Sequence, residues 1–406
     1  MADSARDRLL IDLTRALDEL AASGLRRRLR SLDSVNGAVV RIDGRDVVNW
    51  CSNDYLGLSA HPALAEAAAR AAAEWGIGAR ASRLLSGTTR WHAELEQSLA
   101  SWFGADAALV YPSGYLANLG TLTALCGPQD LLLVDRLAHA SLIDAARATR
   151  GTLRFFRHND PDHLASLLAR PRAARRRFIV TEGLFSMDGD SPPLSAFLQI
   201  ADQRDALLYL DDAHGAFALG KTGRGTPEAQ GVAHERFLYM GTLGKALGCQ
   251  GGFVIGPSTL IEFLLNRSRT FIYTTALAVP VAAAAARALR LLADEPQLRQ
   301  QLASRADALH RQLAFLPQRP RHASHIVPVM VGSAARAVAL SDTLWDRGIW
   351  APPIRPPTVR EGTARLRLGV TVLHTSEQIA ALVGALREVM DDPLLASGAA
   401  DTRLTR

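Results

Sequence analysis

Two neighbouring segments carry a carboxylate, an imidazole and an amine toward what should be one edge of a sheet. The first is the apolar run Ala206-Leu-Leu-Tyr-Leu210, which ends in Asp211-Asp212-Ala213-His214-Gly215. The second, Phe237-Leu-Tyr-Met-Gly-Thr-Leu-Gly-Lys245, ends in a lysine. A lysine able to form a Schiff base and an acid able to hold a pyridinium nitrogen are what pyridoxal 5′-phosphate (PLP) chemistry requires. Taken singly, the segments read as an exposed loop lysine and a helix cap with a surface histidine; taken together, they point to that cofactor. Asp211 ends its strand and is the candidate partner of the pyridine nitrogen. His214, one short turn later, could reach the ring's phenolic oxygen. Asp and His also bind metals, but no further ligands stand at metal-binding spacing, so no metal is expected.

Five other segments could complete such a site. Ser113-Gly114-Tyr115 lies between a strand and a helix at 116–125, where backbone N–H groups make a phosphate cradle. His139 follows the next strand; its flat ring could stack on a cofactor, or it could be a satisfied buried histidine. Ser186, in the segment 181–190, could donate to a cofactor oxygen, with Asp188-Gly189 as a turn. Arg365 and Arg367 alternate with Leu366 and Leu368 and therefore share one strand face. One of them could clamp a carboxylate through two parallel hydrogen bonds, while at least one is expected on a surface strand. Arg355, in Ile354-Arg-Pro-Pro-Thr-Val359, is held by prolines and could orient a substrate.

The elements that must position these groups alternate along the chain. Apolar runs at 107–111, 131–134, 178–181, 207–210, 237–240 and 253–255 are separated by helical patterns at 63–75, 92–103, 141–149 and 193–204. Continuous apolar strands between helices predict an α/β fold with a mostly parallel sheet covered on both faces, and ligands beyond the strand C-termini. Upstream, Leu10, Leu13, Leu17 and Leu20 predict an amphipathic helix stopped by Gly24, and 39–50 a hairpin turning at Asp43-Gly44. Downstream, a helical stretch at 280–316, interrupted near Pro296, leads into strands at 326–331 and 364–369 and helices at 335–347 and 376–390. The expected organisation is an N-terminal segment (1–50), a large cofactor-binding domain (51–280), a smaller α+β C-terminal domain (281–395) and a frayed tail (396–406).

Composition narrows the function classes. A chain of 406 residues, 48% hydrophobic and 21% charged, is ordinary for a globular protein with a large and a small domain. The net charge of +6 comes mostly from arginine, clustered at 26–30 and 172–177. Such runs are solvated faces, or suit an anionic partner such as a CoA derivative or an acidic carrier protein; no nucleic-acid motif accompanies them. Cys51, Cys126 and Cys249 are scattered, which fits a reducing cytosol without disulfides. No signal-peptide pattern opens the chain, and the most apolar stretch, 275–286, is too short to span a bilayer. A soluble, cytoplasmic protein is expected.

Taken in order, Cys51-Ser-Asn-Asp-Tyr-Leu-Gly-Leu58, Thr181-Glu-Gly-Leu-Phe-Ser-Met-Asp-Gly-Asp190, Asp211-Asp-Ala-His-Gly215 and Thr242-Leu-Gly-Lys245 resemble the α-oxoamine synthases. These are PLP enzymes of fold type I that join an amino acid to an acyl thioester with loss of CO2. The resemblance runs from about residue 25 to 374. It implies Lys245 as the Schiff-base lysine, Asp211 as the pyridinium partner and His139 as the stacking imidazole. It further implies Ser186, His214 and Thr242 as cofactor contacts, and Gly114 and Tyr115 as phosphate-binding backbone. Asn53 matches an active-site polar residue, Arg367 the amino-acid carboxylate clamp, and Arg26 and Arg355 positions associated with substrate. Ile354–Val359 and the following Gly362-Thr-Ala-Arg-Leu-Arg-Leu368 are most similar to the branch that condenses L-alanine with a pimeloyl thioester, of CoA or acyl carrier protein, as a homodimer. The aminolevulinate synthases and aminoketobutyrate ligases differ around Arg355. One departure is Arg80-Ala81, where many members carry two glycines; side chains there could narrow the pocket rim. A metal-dependent hydrolase using Asp211, Asp212 and His214, and a silent binding protein, are the rival classes.

Overall fold

The computed structural model describes residues 4–27, 29–169, 173–316 and 324–391. The tail expected at 396–406 lies outside these residues, as do Arg28 and Arg172 of the two arginine runs. The chain divides into two compact units, residues 53–305 and residues 1–52 with 306–406.

In the larger unit, seven strands form one sheet: Ala107–Tyr111 (β1), Leu131–Asp135 (β2), Thr152–Phe156 (β3), Arg177–Glu182 (β4), Ala206–Asp211 (β5), Phe237–Thr242 (β6) and Gly252–Gly256 (β7). Their order is β1-β7-β6-β5-β4-β2-β3. The pairs from β6 to β3 are parallel, and β7 runs antiparallel to both β1 and β6. The interior strands read as unbroken apolar runs because helices cover both faces, so each position loses water on either side. On one face Tyr111, Val134, Val180, Tyr209, Met240 and Val254 pack with residues of helices Gly114–Leu125 (α1) and Ala140–Ala148 (α2). On the other, Phe103 meets Phe217, Tyr239 and Phe253 with ring centroids 5.2 to 5.5 Å apart. Each such side chain contributes about 1.5–3 kcal/mol on burial. β3, one of the two edge strands, escaped the sequence reading because Arg154 and Phe155 are exposed, which interrupts the apolar run.

The helical stretch after residue 279 breaks at Glu295-Pro296 into Val279–Asp294 and Gln297–Gln312. The boundary was expected at 280; the division at 305 falls inside the second of these helices, so the first stays with the larger unit. Its alanine-rich face packs on helices Pro62–Trp75 and Arg90–Phe103 of the larger unit, close because alanine side chains are short.

In the smaller unit, Val39–Ile42 and Arg45–Asn49 form the expected hairpin. Asp43 and Gly44, at φ of 51° and 76°, make the turn that matches strand twist. Ile349–Trp350 adds to it in parallel. A second sheet places Ala364–Gly369 between Ile326–Gly332 and Pro353–Ile354. Helix Ala5–Ala22 begins with a Ser4–Asp7 capping box and ends at Ser23, just before Gly24 at φ 65°. Its Leu10, Leu13, Leu17 and Leu20 are exposed. Among the described residues no helix is long and apolar enough to cross a membrane.

Candidate active site

Strand alternation decides what the end of β5 presents. Consecutive residues of a strand face opposite sides, so Asp211 shares a face with Tyr209 and its neighbour Asp212 takes the other. Asp211, nearly buried, accepts from Asn118 Nδ2 at 2.7 Å and from the Ala213 N–H at 3.0 Å. Asn118, on α1, also receives the Tyr209 hydroxyl at 2.8 Å and donates to Ser141 at 2.9 Å. The bonds to Tyr209 and Ser141 fix the amide that holds the Asp211 carboxylate. Asn118 was missed from sequence, although a lone amide in the apolar helix Gly114–Leu125 was a readable signal.

Asp212 turns into the scaffold. It accepts from Thr226 Oγ1 at 2.6 Å, Thr226 N–H at 2.7 Å and Tyr239 OH at 2.9 Å. Complete burial raises its pKa to about 7, against the opposing pull of these donors. Gly183, Gly215 and Gly225 crowd round it so closely that a Cβ on any of them would lie within 2.2 Å of a carboxylate oxygen. The two acids do not converge on one ion, which removes the arrangement a hydrolase would need. Among the described residues no group of three or more His, Cys, Asp or Glu side chains is placed to hold a metal.

After β6 the chain turns sharply, and Lys245 Nζ comes to 2.7 Å from His214 Nε2. His214 Nδ1 lies 2.7 Å from the Tyr55 hydroxyl, which also donates to Asn53 Oδ1 at 3.0 Å. Lys245, His214, Tyr55 and Asn53 therefore form one hydrogen-bonded chain. Tyr55 belongs to the 51–58 motif but was not singled out. Thr242 Oγ1 donates to the Gly251 carbonyl at 2.8 Å and accepts from Gly244 N–H, fixing the turn before the lysine.

The start of α1 points into the same region. The Ser113 side chain and carbonyl take the Leu116 and Ala117 N–H groups. That leaves the Gly114 and Tyr115 N–H groups at the positive end of the helix. Gly114 faces Thr242, whose Cβ would lie 3.6 Å from an added Cβ, and Gly252 approaches it so closely that a side chain there would meet its Cα at 2.6 Å. The Tyr115 ring turns outward to Asp144. His139 caps α2, its Nδ1 2.8 Å from Ser141 Oγ, and its backbone N–H donates to Glu182 at 2.6 Å. Solvent reaches one side of His139, yet the surrounding protein lowers its pKa against the pull of Asp211. Glu182 ends β4 beside Asp211; burial and that neighbouring charge push its pKa well up. Ser186 is half-buried in the turn after β4.

The remaining candidates belong to the smaller unit. Arg365 and Arg367 are both only 5% exposed, which corrects the expectation of a surface strand. Every residue of Ala364–Gly369 is buried, so both faces of this strand are covered. Arg355 donates to the carbonyl of Gly24, two residues before the exposed Arg26, so these two sites lie together. In the larger unit, Arg80 holds φ 69°, a conformation that favours glycine, and its guanidinium returns to the Trp75 carbonyl at 2.9 Å.

The larger unit's groups fit PLP. A buried carboxylate, an amine, an imidazole and a helix N-terminus without a side chain match the ring nitrogen, aldehyde, phenolic oxygen and phosphate. A sequence profile of the aminotransferase class I and II family matches residues 45–386. The chain is 43% identical over 388 residues to 8-amino-7-oxononanoate synthase of Aromatoleum aromaticum, covering 94% of this chain and 98% of that protein. It is 45% identical over 377 residues to the enzyme of the same name from Anaeromyxobacter dehalogenans, covering 93% and 94%. Among solved structures, serine palmitoyltransferase from S. paucimobilis superposes with a TM-score of 0.88 at 31% identity, covering 93% and 98%. 8-Amino-7-oxononanoate synthase from Francisella tularensis superposes at 0.73 and 27% identity, covering 85% and 98%.

Proposed function

The chain belongs to the aminotransferase class I and II family and is a PLP-dependent transferase of fold type I, and from that premise we propose that it condenses L-alanine with a pimeloyl thioester. The products are 8-amino-7-oxononanoate, CO2 and the free thiol of CoA or acyl carrier protein, a step of biotin biosynthesis in the cytoplasm. The observation that carries this reading is chain-long identity of 43 to 45% to 8-amino-7-oxononanoate synthases. Serine palmitoyltransferase superposes better but shares only 31% identity. Backbone paths in one fold hardly depend on substrate; side chains choose it.

When bound, PLP supplies a ring that accepts electrons from the amino acid's Cα. The chain's own residues supply the rest. Asp211, oriented by Asn118, presents negative charge to the ring nitrogen. Lys245 anchors the cofactor, and its Nζ is the base for the Cα proton, with His214 Nε2 at 2.7 Å to share it. The N-terminus of α1 at Gly114 and Tyr115 receives the phosphate, while Thr242 and Ser186 line the cofactor. His139 stacks on the ring and polarises the thioester carbonyl. Arg367 clamps the alanine carboxylate, Asn53 adds a polar contact, and Arg26 and Arg355 hold the acyl substrate. A homodimer suits the exposed leucines of helix Ala5–Ala22, a surface that a second copy would cover.

The test is turnover of alanine, glycine and serine against pimeloyl-CoA, pimeloyl-acyl carrier protein and long-chain acyl-CoA. Alanine with a pimeloyl thioester should give the highest kcat/KM. A preference for serine with a long acyl chain would replace this reading with that of the structural neighbour. Arg367→Ala should weaken alanine binding roughly ten- to a hundredfold, as expected when a charged hydrogen bond is lost. If it instead cripples only thioester use, Arg367 belongs to the acyl site.

A further inference from the structure

We propose that His158 is a positioning residue: its imidazole, bridging Asp135 and Asp190, fixes both the loop that carries His139 and the loop that carries Ser186. His158 follows the edge strand β3, away from the motifs, and touches none of the groups assigned to the cofactor. Its Nδ1 lies 3.0 Å from Asp135 Oδ1 and its Nε2 3.0 Å from Asp190 Oδ2. Asp135 ends β2 with its side chain fully buried. The same Oδ1 accepts the Leu137 N–H at 2.8 Å, and Oδ2 accepts the Asn159 N–H at 3.0 Å. Leu137 is two residues before His139, so Asp135 sets the path of that loop.

At the other end, the Asp190 carbonyl accepts the Phe185 N–H at 2.9 Å and closes the turn that contains Ser186. The Phe185 ring meets the His158 ring edge-on, centroids 4.4 Å apart at 89°. Asn159 Nδ2 adds a bond to Asp190 at 3.2 Å. The bridge thus ties together the ends of β2, β3 and β4.

Only a doubly protonated ring donates to a carboxylate from both nitrogens. Burial pushes the pKa of His158 down, but the two carboxylates outweigh it and raise the value to about 10. The bridge is therefore ionic at neutral pH. A neutral replacement loses a hydrogen bond and also sets two poorly solvated carboxylates against each other, which drives the loops apart.

The inference rests on the reading that His139 and Ser186 face PLP, and the experiment separates the two. The full chain is stripped of PLP and titrated with it, recording the dissociation constant, the visible absorption band and the thermal midpoint. His158→Gln should raise the PLP dissociation constant roughly tenfold, the size that partners behind a binding group carry at metal sites, and should move the band. Asp190→Asn spares the bond to Asp135 and should move both in the same direction by less. Asp130→Asn breaks the pair between the buried Asp130 and the exposed Arg175 at the opposite end of β2; it should lower the midpoint and leave both PLP readouts in place. If His158→Gln, or Asp190→Asn should the former not fold, leaves the dissociation constant within twofold and the band unmoved, the inference is overturned. His139→Ala and Ser186→Ala serve as direct arms. If they move the readouts and His158→Gln does not, this inference alone fails. If neither moves them, the reading beneath it fails, and the inference with it.

Discussion

Asp212 and the Asp135–His158–Asp190 bridge both bury carboxylate charge behind the same sheet edge, with partners of opposite kind. Asp212 is met by neutral donors, two hydroxyls and an amide, packed tightly by glycines. Its charge is only partly offset, so its pKa climbs to about 7. The bridge meets its acids with a cation, and there it is the imidazole that is driven up, to about 10. The first arrangement depends on shape and hydrogen bonds, the second on charge. Asp211, one residue from Asp212, takes the opposite face, and this change of face separates the group proposed to meet the cofactor from one that holds the fold.

The largest expected effects lie on the site face. Lys245→Ala should slow turnover at least roughly a hundredfold, as expected when a catalytic base is lost, while PLP is still retained by the phosphate cradle. Apart from Lys245 the chain carries a single lysine, the exposed Lys221, so restored activity could not be assigned to a nearby substitute. Asp211→Asn should suppress exchange of the alanine Cα–H in deuterated water by a similar factor without lowering the thermal midpoint. Asp212→Asn should leave that exchange in place. If the two asparagine variants behaved alike, the division between the faces of β5 would be wrong.

Next come effects on stability. Asp212→Ala leaves the Thr226 hydroxyl and N–H and the Tyr239 hydroxyl without their acceptor, at about 1–3 kcal/mol for each buried donor. Urea unfolding should show a loss of about 3 kcal/mol or more. Asp212→Asn keeps an acceptor and should lose much less; equal losses would mean that charge, not shape, matters here.

The smallest effects are slopes with pH, and they distinguish the clusters. Both groups have folded-state pKa values above their unfolded values, so the native state holds the proton more tightly and stability falls as pH rises. For Asp212 the contribution is full below about pH 3.8 and is lost as pH approaches 7. For His158 it is full below pH 6.5 and is lost as pH approaches 10. One proton limits either slope to about 1.4 kcal/mol per pH unit. Asp212→Asn should flatten the lower window and His158→Gln the upper one, read from unfolding at a series of pH values. A single variant that flattened both would show the clusters to be one coupled network.

Much of the fold was legible because its signals are local. The buried strands β1, β2, β4, β5, β6 and β7 were continuous apolar runs, and Asp43-Gly44 named its own turn. The edge strand β3 was hidden because only one of its five residues is buried. Strand alternation puts Arg365 and Arg367 on one face, but that this face is buried as fully as the other depends on what packs against the strand, which its own residues do not specify. The candidates Asp211, His214 and Lys245 were singled out through their types at strand ends. The groups that orient them, Asn118, Tyr55, Glu182 and His158, were not, since each is an ordinary polar residue until its partner is known.

The sequence by itself determined which groups arrive at the edge of the sheet, because strand period, turn chemistry and chain order act over a few residues. Lys245, Asp211, His214 and the start of α1 were placed by those rules alone. Only the tertiary structure decided which groups meet. Asn118 finds Asp211 across 93 residues, Tyr55 finds His214 across 159, and His158 finds Asp190 across 32. Hydrogen bonds and ion pairs act over about 3 Å, and no local pattern specifies which distant segments the packing of the core will bring within that range.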